Sequence, residues 1–124
     1  MARILLAEDD EAVRGLIVRA LSDGGHDIIA TANGCDALDA LAQQDGPVDL
    51  LLTDVQMPEM DGISLAMAVA RDHPAITIML MTGYADQRER AHGLDALVHD
   101  VLTKPFTVAQ VQHAVTDALV AARH

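Results

Sequence analysis

The sequence predicts an α/β domain in which a five-stranded parallel sheet is covered by helices on both faces. Short apolar runs alternate with segments of helical periodicity five times along the chain, and each run is continuous rather than alternating. Continuous apolar strands are typical of sheets buried on both faces, and regular alternation with helices favours parallel strands joined by right-handed crossovers. Strands are expected at 3–7, 27–31, 49–53, 76–81 and 97–102, and helices at 12–23, 35–44, 62–72, 86–92 and 107–122.

The first strand ends on three consecutive acids, Glu8, Asp9 and Asp10, and a helix follows them. Asp10 is placed to cap this helix, because its side-chain oxygen can accept hydrogen bonds from N–H groups of the first turn. The Gly24-Gly25 pair is expected to end it. One apolar face of the helix is predicted to be buried, and it consists of Val13, Leu16, Ile17, Ala20 and Leu21.

The later elements repeat this organisation. The third strand runs into Asp54, and Pro58 and Gly62 mark the turn that follows it. All four prolines lie between predicted elements, and no linker or internal repeat interrupts the pattern, so residues 1–124 are expected to form one domain. The last helix also has an apolar face, which consists of Val108, Val111, Val115, Ala118 and Leu119.

Composition excludes several classes of function. The 124 residues are 51% hydrophobic and can bury a core without disulfides, and the single cysteine, Cys35, fits a reducing cytoplasm. A net charge of −11 with only eight scattered basic residues argues against nucleic-acid binding. The sequence contains neither an export signal nor an apolar segment of membrane-spanning length, so a cytoplasmic protein is expected.

Polar side chains follow four of the predicted strands. Glu8 and Asp9 follow the first, Asp54 the third, Thr82 the fourth and Lys104 the fifth. Ligands of open parallel sheets bind beyond the carboxyl ends of the strands. Taken singly, Thr82 could open a helix, Lys104 could be a surface charge and Asp54 could begin a turn. Their joint occurrence predicts a site for a phosphate and a metal ion.

Such a site has a definite chemistry. Three adjacent carboxylates repel one another, and a divalent cation with oxygen ligands, Mg²⁺ or Mn²⁺, relieves that repulsion. Asp54 is then a plausible nucleophile toward a phosphoryl group. Lys104 can neutralise charge on the phosphoryl oxygens and Thr82 can donate a hydrogen bond to one of them.

On these motifs the chain resembles the receiver domain of two-component response regulators from Arg3 to the end of its last helix. The matching segments are the acids after the first strand, the run Leu-Leu-Thr-Asp-Val-Gln-Met-Pro-Glu-Met-Asp-Gly at 51–62, Thr82-Gly83 and Lys104-Pro105-Phe106. The resemblance implies a flavodoxin-like fold with strand order 2-1-3-4-5.

The resemblance also implies roles. Asp54 would accept a phosphoryl group from a phosphohistidine on a sensor histidine kinase or a histidine phosphotransferase. Asp9 would bind Mg²⁺ directly, Glu8 through water and Gln56 through its backbone carbonyl. Lys104 would contact the phosphoryl group and Thr82 would move toward it. The Lys104–Pro105 bond is expected to be cis.

One position departs from the family pattern. Three residues before Lys104, where many receivers have a Tyr or Phe that rotates inward on activation, this chain has Val101. Valine has a stiff χ1 and cannot rotate in the same way. We therefore expect the loop after the fourth strand to report phosphorylation instead, with Tyr84 filling some of the space. Tyr84 and Gln56 are also expected to slow attack of water on the acyl phosphate.

The sequence therefore predicts a single-domain response regulator that signals by protein–protein interaction rather than as an enzyme. Its downstream partner is expected to bind the surface formed by the fourth predicted helix, the fifth strand and the fifth helix. Two alternatives remain. One is a phosphatase with Asp54 as nucleophile, which is disfavoured because Gln56 replaces the expected general acid. The other is a flavodoxin-like scaffold that is never phosphorylated.

Overall fold

The computed structural model describes residues 2–83 and 97–122, and nine helices and strands lie within them. The strands are β1 (Arg3–Ala7), β2 (Asp27–Thr31), β3 (Leu50–Asp54), β4 (Thr77–Thr82) and β5 (Asp100–Thr103). The helices are α1 (Glu11–Asp23), α2 (Gly34–Ala42), α3 (Gly62–Asp72) and α4 (Val108–Ala122). The helix expected at 86–92 lies outside the described residues, so α4 corresponds to the fifth helix of the sequence analysis.

The five strands form one parallel sheet in the order β2-β1-β3-β4-β5, as predicted. The order reverses between β1 and β3, so the loops that leave these two strands diverge and open a crevice at the carboxyl edge of the sheet. β3 is the central strand and is buried along its whole length, which agrees with its unbroken apolar sequence. Asp54 is its last residue and lies at the edge of this crevice.

Alternate residues of the central strands enter two apolar cores. Leu5, Leu51 and Leu80 pack on one face against α2 and α3, whereas Leu6, Leu52 and Met79 pack on the other against α1 and α4. Successive side chains of a strand point to opposite faces, so continuous apolar runs supply both cores. The predicted helices on both faces are confirmed.

Side-chain caps fix where the helices begin. Asp10 accepts hydrogen bonds from the N–H groups of Ala12 and Val13, as predicted, and Asn33 and Asp61 cap α2 and α3 in the same way. An aspartate or asparagine at this position satisfies N–H groups that have no partner within the helix. The caps place the first turns of α1 and α3 beside the loops that hold the acids.

Several sequence-based expectations were wrong in detail. β5 begins at Asp100 rather than at 97, because its pairing with β4 starts where Asp100 lies opposite Met79. Leu16 and Val108 were expected to be buried, but they are 38% and 39% exposed. Val108 is the first residue of α4, and Leu16 lines the pocket described below. Within residues 2–83 and 97–122, no helix combines the length and apolar character needed to span a lipid bilayer.

Candidate functional site

Three carboxylates converge at the carboxyl edge of the sheet. Oxygen atoms of Glu8, Asp9 and Asp54 lie within 4.8 Å of one another. Glu8 is fully buried, Asp54 is 7% exposed and Asp9 is exposed. The switch in strand order between β1 and β3 brings the ends of these two strands together. The predicted convergence of the strand-terminal acids is therefore confirmed.

Lys104 joins two of these acids. Its Nζ atom lies 2.5 Å from Oε1 of Glu8 and 3.2 Å from Oδ2 of Asp54. The backbone N–H of Lys104 donates to the carbonyl of Thr82 at 2.7 Å, which continues the ladder between β4 and β5. The Lys104–Pro105 peptide bond is cis, as expected. The contact with Glu8 was not predicted from the sequence, although both residues were assigned to the site.

The positive charge of Lys104 does not fully offset the effect of burial on the carboxyl groups of Glu8 and Asp54. Burial raises the pKa of Asp54, and the negative charge of Asp9 adds to the effect, while Lys104 opposes it. Burial likewise raises the pKa of Glu8, against its hydrogen bonds from Lys104 and from the N–H of Asp10. Burial alone would lower the pKa of Lys104, but its contacts with Glu8 and Asp54 together raise it. The site therefore holds a surplus of negative charge.

These residues line a pocket of about 650 Å³. Its polar wall contains Glu8, Asp9, Asp54, Gln56 and Lys104, and together with Pro105 six of the predicted site residues face one space. Its apolar wall consists of Val13, Leu16, Pro105 and Phe106, of which only Pro105 was predicted to belong to the site. The exposure of Leu16 is explained by this position, which no apolar pattern within a single helix could indicate.

The remaining predicted residues have other surroundings. Thr82 is fully buried at the end of β4, and its hydroxyl oxygen has no hydrogen-bond partner among the described residues. Val101 is half-buried and packs against the core on the α2–α3 face. Tyr84 lies outside the described residues, so its expected role stays a prediction.

Gly62 is a site residue whose importance the sequence analysis missed. A Cβ atom built on it would overlap the backbone carbonyl oxygen of Asp54, and its N–H donates to the carbonyl of Val55 at 2.8 Å. Only glycine lets α3 begin this close to the end of β3. Its position between the turn and the helix expected at 62–72 is visible in the sequence, but its contact with Asp54 is not.

The fold and site define an α/β domain with an acid-rich pocket and one lysine at the switch point of its sheet. The chain belongs to the response regulator receiver domain family, whose model matches residues 4–116. It is 39% identical over 122 residues to the response regulator receiver protein CpdR of Brucella abortus (strain 2308), covering 98% of this chain and 100% of that protein.

Two further comparisons extend this result. The chain is 36% identical over 118 residues to the sensor kinase CckA of the same organism, covering 95% of this chain but only 12% of the kinase. A response regulator receiver domain protein from Clostridium thermocellum superimposes with a TM-score of 0.88 over 99% of this chain and 98% of its own, at 20% identity. The latter similarity supports the fold.

Proposed function

We propose that Asp54 accepts a phosphoryl group from a phosphohistidine on a sensor histidine kinase or a histidine phosphotransferase, in a reaction that requires Mg²⁺. The observation that best supports this is the position of Lys104 Nζ, 3.2 Å from the Asp54 carboxylate and beside two further acids. A lone surface aspartate has neither the ammonium nor the acids. We further propose that residues 1–124 act as one receiver domain.

The residues present fit a divalent cation. Carboxylates of Glu8, Asp9 and Asp54 lie close enough to share one ion, and oxygen donors suit Mg²⁺ and Mn²⁺. Asp9 and Asp54 would hold the ion directly, Glu8 through water and Gln56 through its backbone carbonyl. When bound, the cation neutralises the acids and the oxygens of the incoming phosphoryl group.

Three side chains of this protein take part in the proposed phosphoryl transfer. An Oδ atom of Asp54 forms a bond to phosphorus while the bond from phosphorus to the donor's imidazole nitrogen breaks, and the bonding electrons return to that nitrogen. Lys104 stays positively charged through its contact with Glu8, so it can stabilise the equatorial oxygens of the transition state. The hydroxyl of Thr82 can donate to a phosphoryl oxygen, because no other acceptor among the described residues engages it.

The proposal extends to what happens after phosphorylation. The chain acts as a stoichiometric acceptor, not as an enzyme, and relays its state through a protein that binds β5, α4 and the fourth predicted helix, which lies outside the described residues. This surface suits a phosphate shuttle or an adaptor. The cytoplasmic location expected from the sequence stays a prediction.

Phosphorylation by a small-molecule donor tests the proposal. The purified chain is incubated with acetyl phosphate and Mg²⁺, and intact-mass spectrometry is expected to show the addition of one phosphoryl group. Asp54→Asn should abolish the addition. Asp61→Asn is the matched control, because Asp61 lies in the loop after β3 and asparagine can still cap α3. Addition to Asp54→Asn, or no addition to the wild type, would contradict the proposal.

The phosphatase alternative is tested with the same protein. An excess of a phosphomonoester is added with Mg²⁺, and inorganic phosphate is measured against protein concentration. Release of no more than about one equivalent on the time scale of the labelling experiment is expected, because the amide of Gln56 cannot serve as a general acid. Many turnovers, lost in Asp54→Asn, would favour the phosphatase.

A further inference from the structure

Arg14 contacts the loop that supplies two of the three acids. Its Nη1 atom donates a hydrogen bond of 2.8 Å to the backbone carbonyl of Glu8, and the side chain is partly buried. Arg14 lies on α1, one turn after the cap residue Asp10, and its own N–H donates to the Asp10 carbonyl at 2.8 Å. The guanidinium thus spans from the helix back to the end of β1.

This contact completes a set of restraints on residues 8–10. The backbone N–H of Glu8 donates to Thr31 at 3.0 Å, and the Glu8 carboxylate accepts from the N–H of Asp10 at 3.0 Å. The Glu8 carbonyl is the group that Arg14 fixes. That carbonyl belongs to the peptide joining Glu8 to Asp9, so fixing it restrains the backbone from which the exposed Asp9 side chain projects.

We propose that Arg14 is a positioning residue that directs the carboxylates of Glu8 and Asp9 into the acidic pocket before a cation binds. The proposal rests on the function proposed above, in which these acids hold Mg²⁺. Arg14 acts through the backbone and leaves the carboxylate oxygens available to the ion. Arginine suits this role because it is always charged and its planar group can donate in a fixed direction.

Positioning and charge predict opposite effects on cation binding. If Arg14 acted only as a positive charge near the acids, its removal would strengthen Mg²⁺ binding, since like charges repel. If it positions the acids, its removal weakens binding. Loss of an outer contact that orients a metal ligand typically lowers metal affinity about 10–100-fold. The sign of the change therefore distinguishes the two roles.

The test compares Mg²⁺ affinities of the unphosphorylated protein by isothermal titration calorimetry, with electron paramagnetic resonance of Mn²⁺ as a second measurement. Arg14→Met, which keeps an apolar stem, is expected to bind about tenfold more weakly than the wild type. Arg14→Lys retains a charged donor and is expected to recover affinity to within about threefold. Arg19→Met is the matched control: it removes an exposed charge from the same helix and should change affinity by no more than about twofold.

Urea unfolding in EDTA separates positioning from a general loss of stability. Each variant must be folded under the conditions of the titration, so a change in affinity then belongs to the site. Arg14→Met that binds Mg²⁺ as tightly as, or more tightly than, the wild type would overturn the positioning role. Absence of Mg²⁺ binding by the wild type would contradict the proposed function itself, and the inference about Arg14 would fail with it.

Discussion

A Cβ atom on Gly62, the first residue of α3, would collide with the backbone carbonyl oxygen of Asp54. The start of this helix therefore packs directly against the main chain of the proposed phosphoacceptor. The absence of a side chain at position 62 is what permits the approach. A substitution here acts on both stability and the position of the Asp54 carboxylate.

We predict that Gly62→Ala destabilises the protein by about 1–3 kcal/mol, because backbone atoms of β3 must shift to accommodate the methyl group. Phosphorylation by acetyl phosphate should also slow. Gly15→Ala is the matched control: Gly15 is inside α1 with no atom within 4 Å of a built Cβ, so alanine should stabilise by about 0.5–1 kcal/mol. Urea unfolding measures both changes. Equal effects of the two substitutions would contradict this account of Gly62.

The pH dependence of stability is a second prediction. Glu8 and Asp54 have pKa values raised above 4.5 and 3.8 in the folded protein, so the folded state binds more protons than the unfolded chain between the unfolded and folded pKa values. Their contribution to stability is thus present below the unfolded values and is lost as pH rises through the folded ones. Asp54→Asn should be more stable than the wild type above this window, by on the order of 1 kcal/mol.

Thermal unfolding of the two proteins in EDTA, from pH 4 to pH 8, measures this difference. A change of 1 kcal/mol corresponds to about 4 °C in Tm for a domain of this size. Mg²⁺ should raise the Tm of the wild type at pH 8 more than that of Asp54→Asn, because the variant has lost one anionic ligand. If the Tm advantage of Asp54→Asn over the wild type shrank as pH rose, the prediction would be contradicted.

Most of the fold could be predicted from sequence because its determinants are local. β1, β2 and α3 were predicted with the observed bounds, since unbroken apolar runs and capping residues mark their ends. The cap at Asp10 and the stop at Gly24 depend only on neighbouring residues. The predicted start of β5 was wrong by three residues, because the start of this strand depends on which residues of β4 pair with it.

The site was predicted in its members but not in its contacts. The residue types at the strand ends indicated Glu8, Asp9, Asp54 and Lys104. The ion pair between Glu8 and Lys104 joins positions 96 residues apart and depends on side-chain reach across the sheet. The contact of Gly62 with Asp54 likewise depends on how closely α3 approaches β3, which sequence pattern does not encode.

The ion pair between Lys104 and Glu8 gives a third prediction. Lys104→Met leaves the fully buried Glu8 carboxylate without its ammonium and should cost about 2–4 kcal/mol at pH 8. The double variant Glu8→Gln/Lys104→Met should recover about half of that loss, since the fully buried Glu8 charge is gone and only Asp54 has lost its ammonium. Arg71→Met is the control, because its ion pair with Asp72 is exposed to solvent and should contribute little to stability. Urea unfolding that shows no recovery in the double variant would contradict this interpretation.

The hydroxyl of Thr82 gives the last prediction. It is buried without a hydrogen-bond partner among residues 2–83 and 97–122. Thr82→Val therefore breaks no hydrogen bond in the unphosphorylated protein and removes a buried polar group that has no partner. The variant should unfold within about 0.5 kcal/mol of the wild type, or be more stable. After phosphorylation it should gain less stability than the wild type, because the proposed hydrogen bond to the phosphoryl oxygen is missing.

Thr53→Val is the matched control for Thr82→Val. Thr53 is equally buried, but its hydroxyl donates to the Asp54 carbonyl at 3.0 Å, so the same substitution should cost about 1 kcal/mol. Urea unfolding in EDTA compares the two variants, and unfolding after treatment with acetyl phosphate and Mg²⁺ measures the second effect. Equal losses in the two unphosphorylated variants would show that the Thr82 hydroxyl already has a partner, and would remove the reason for assigning it to the phosphoryl group.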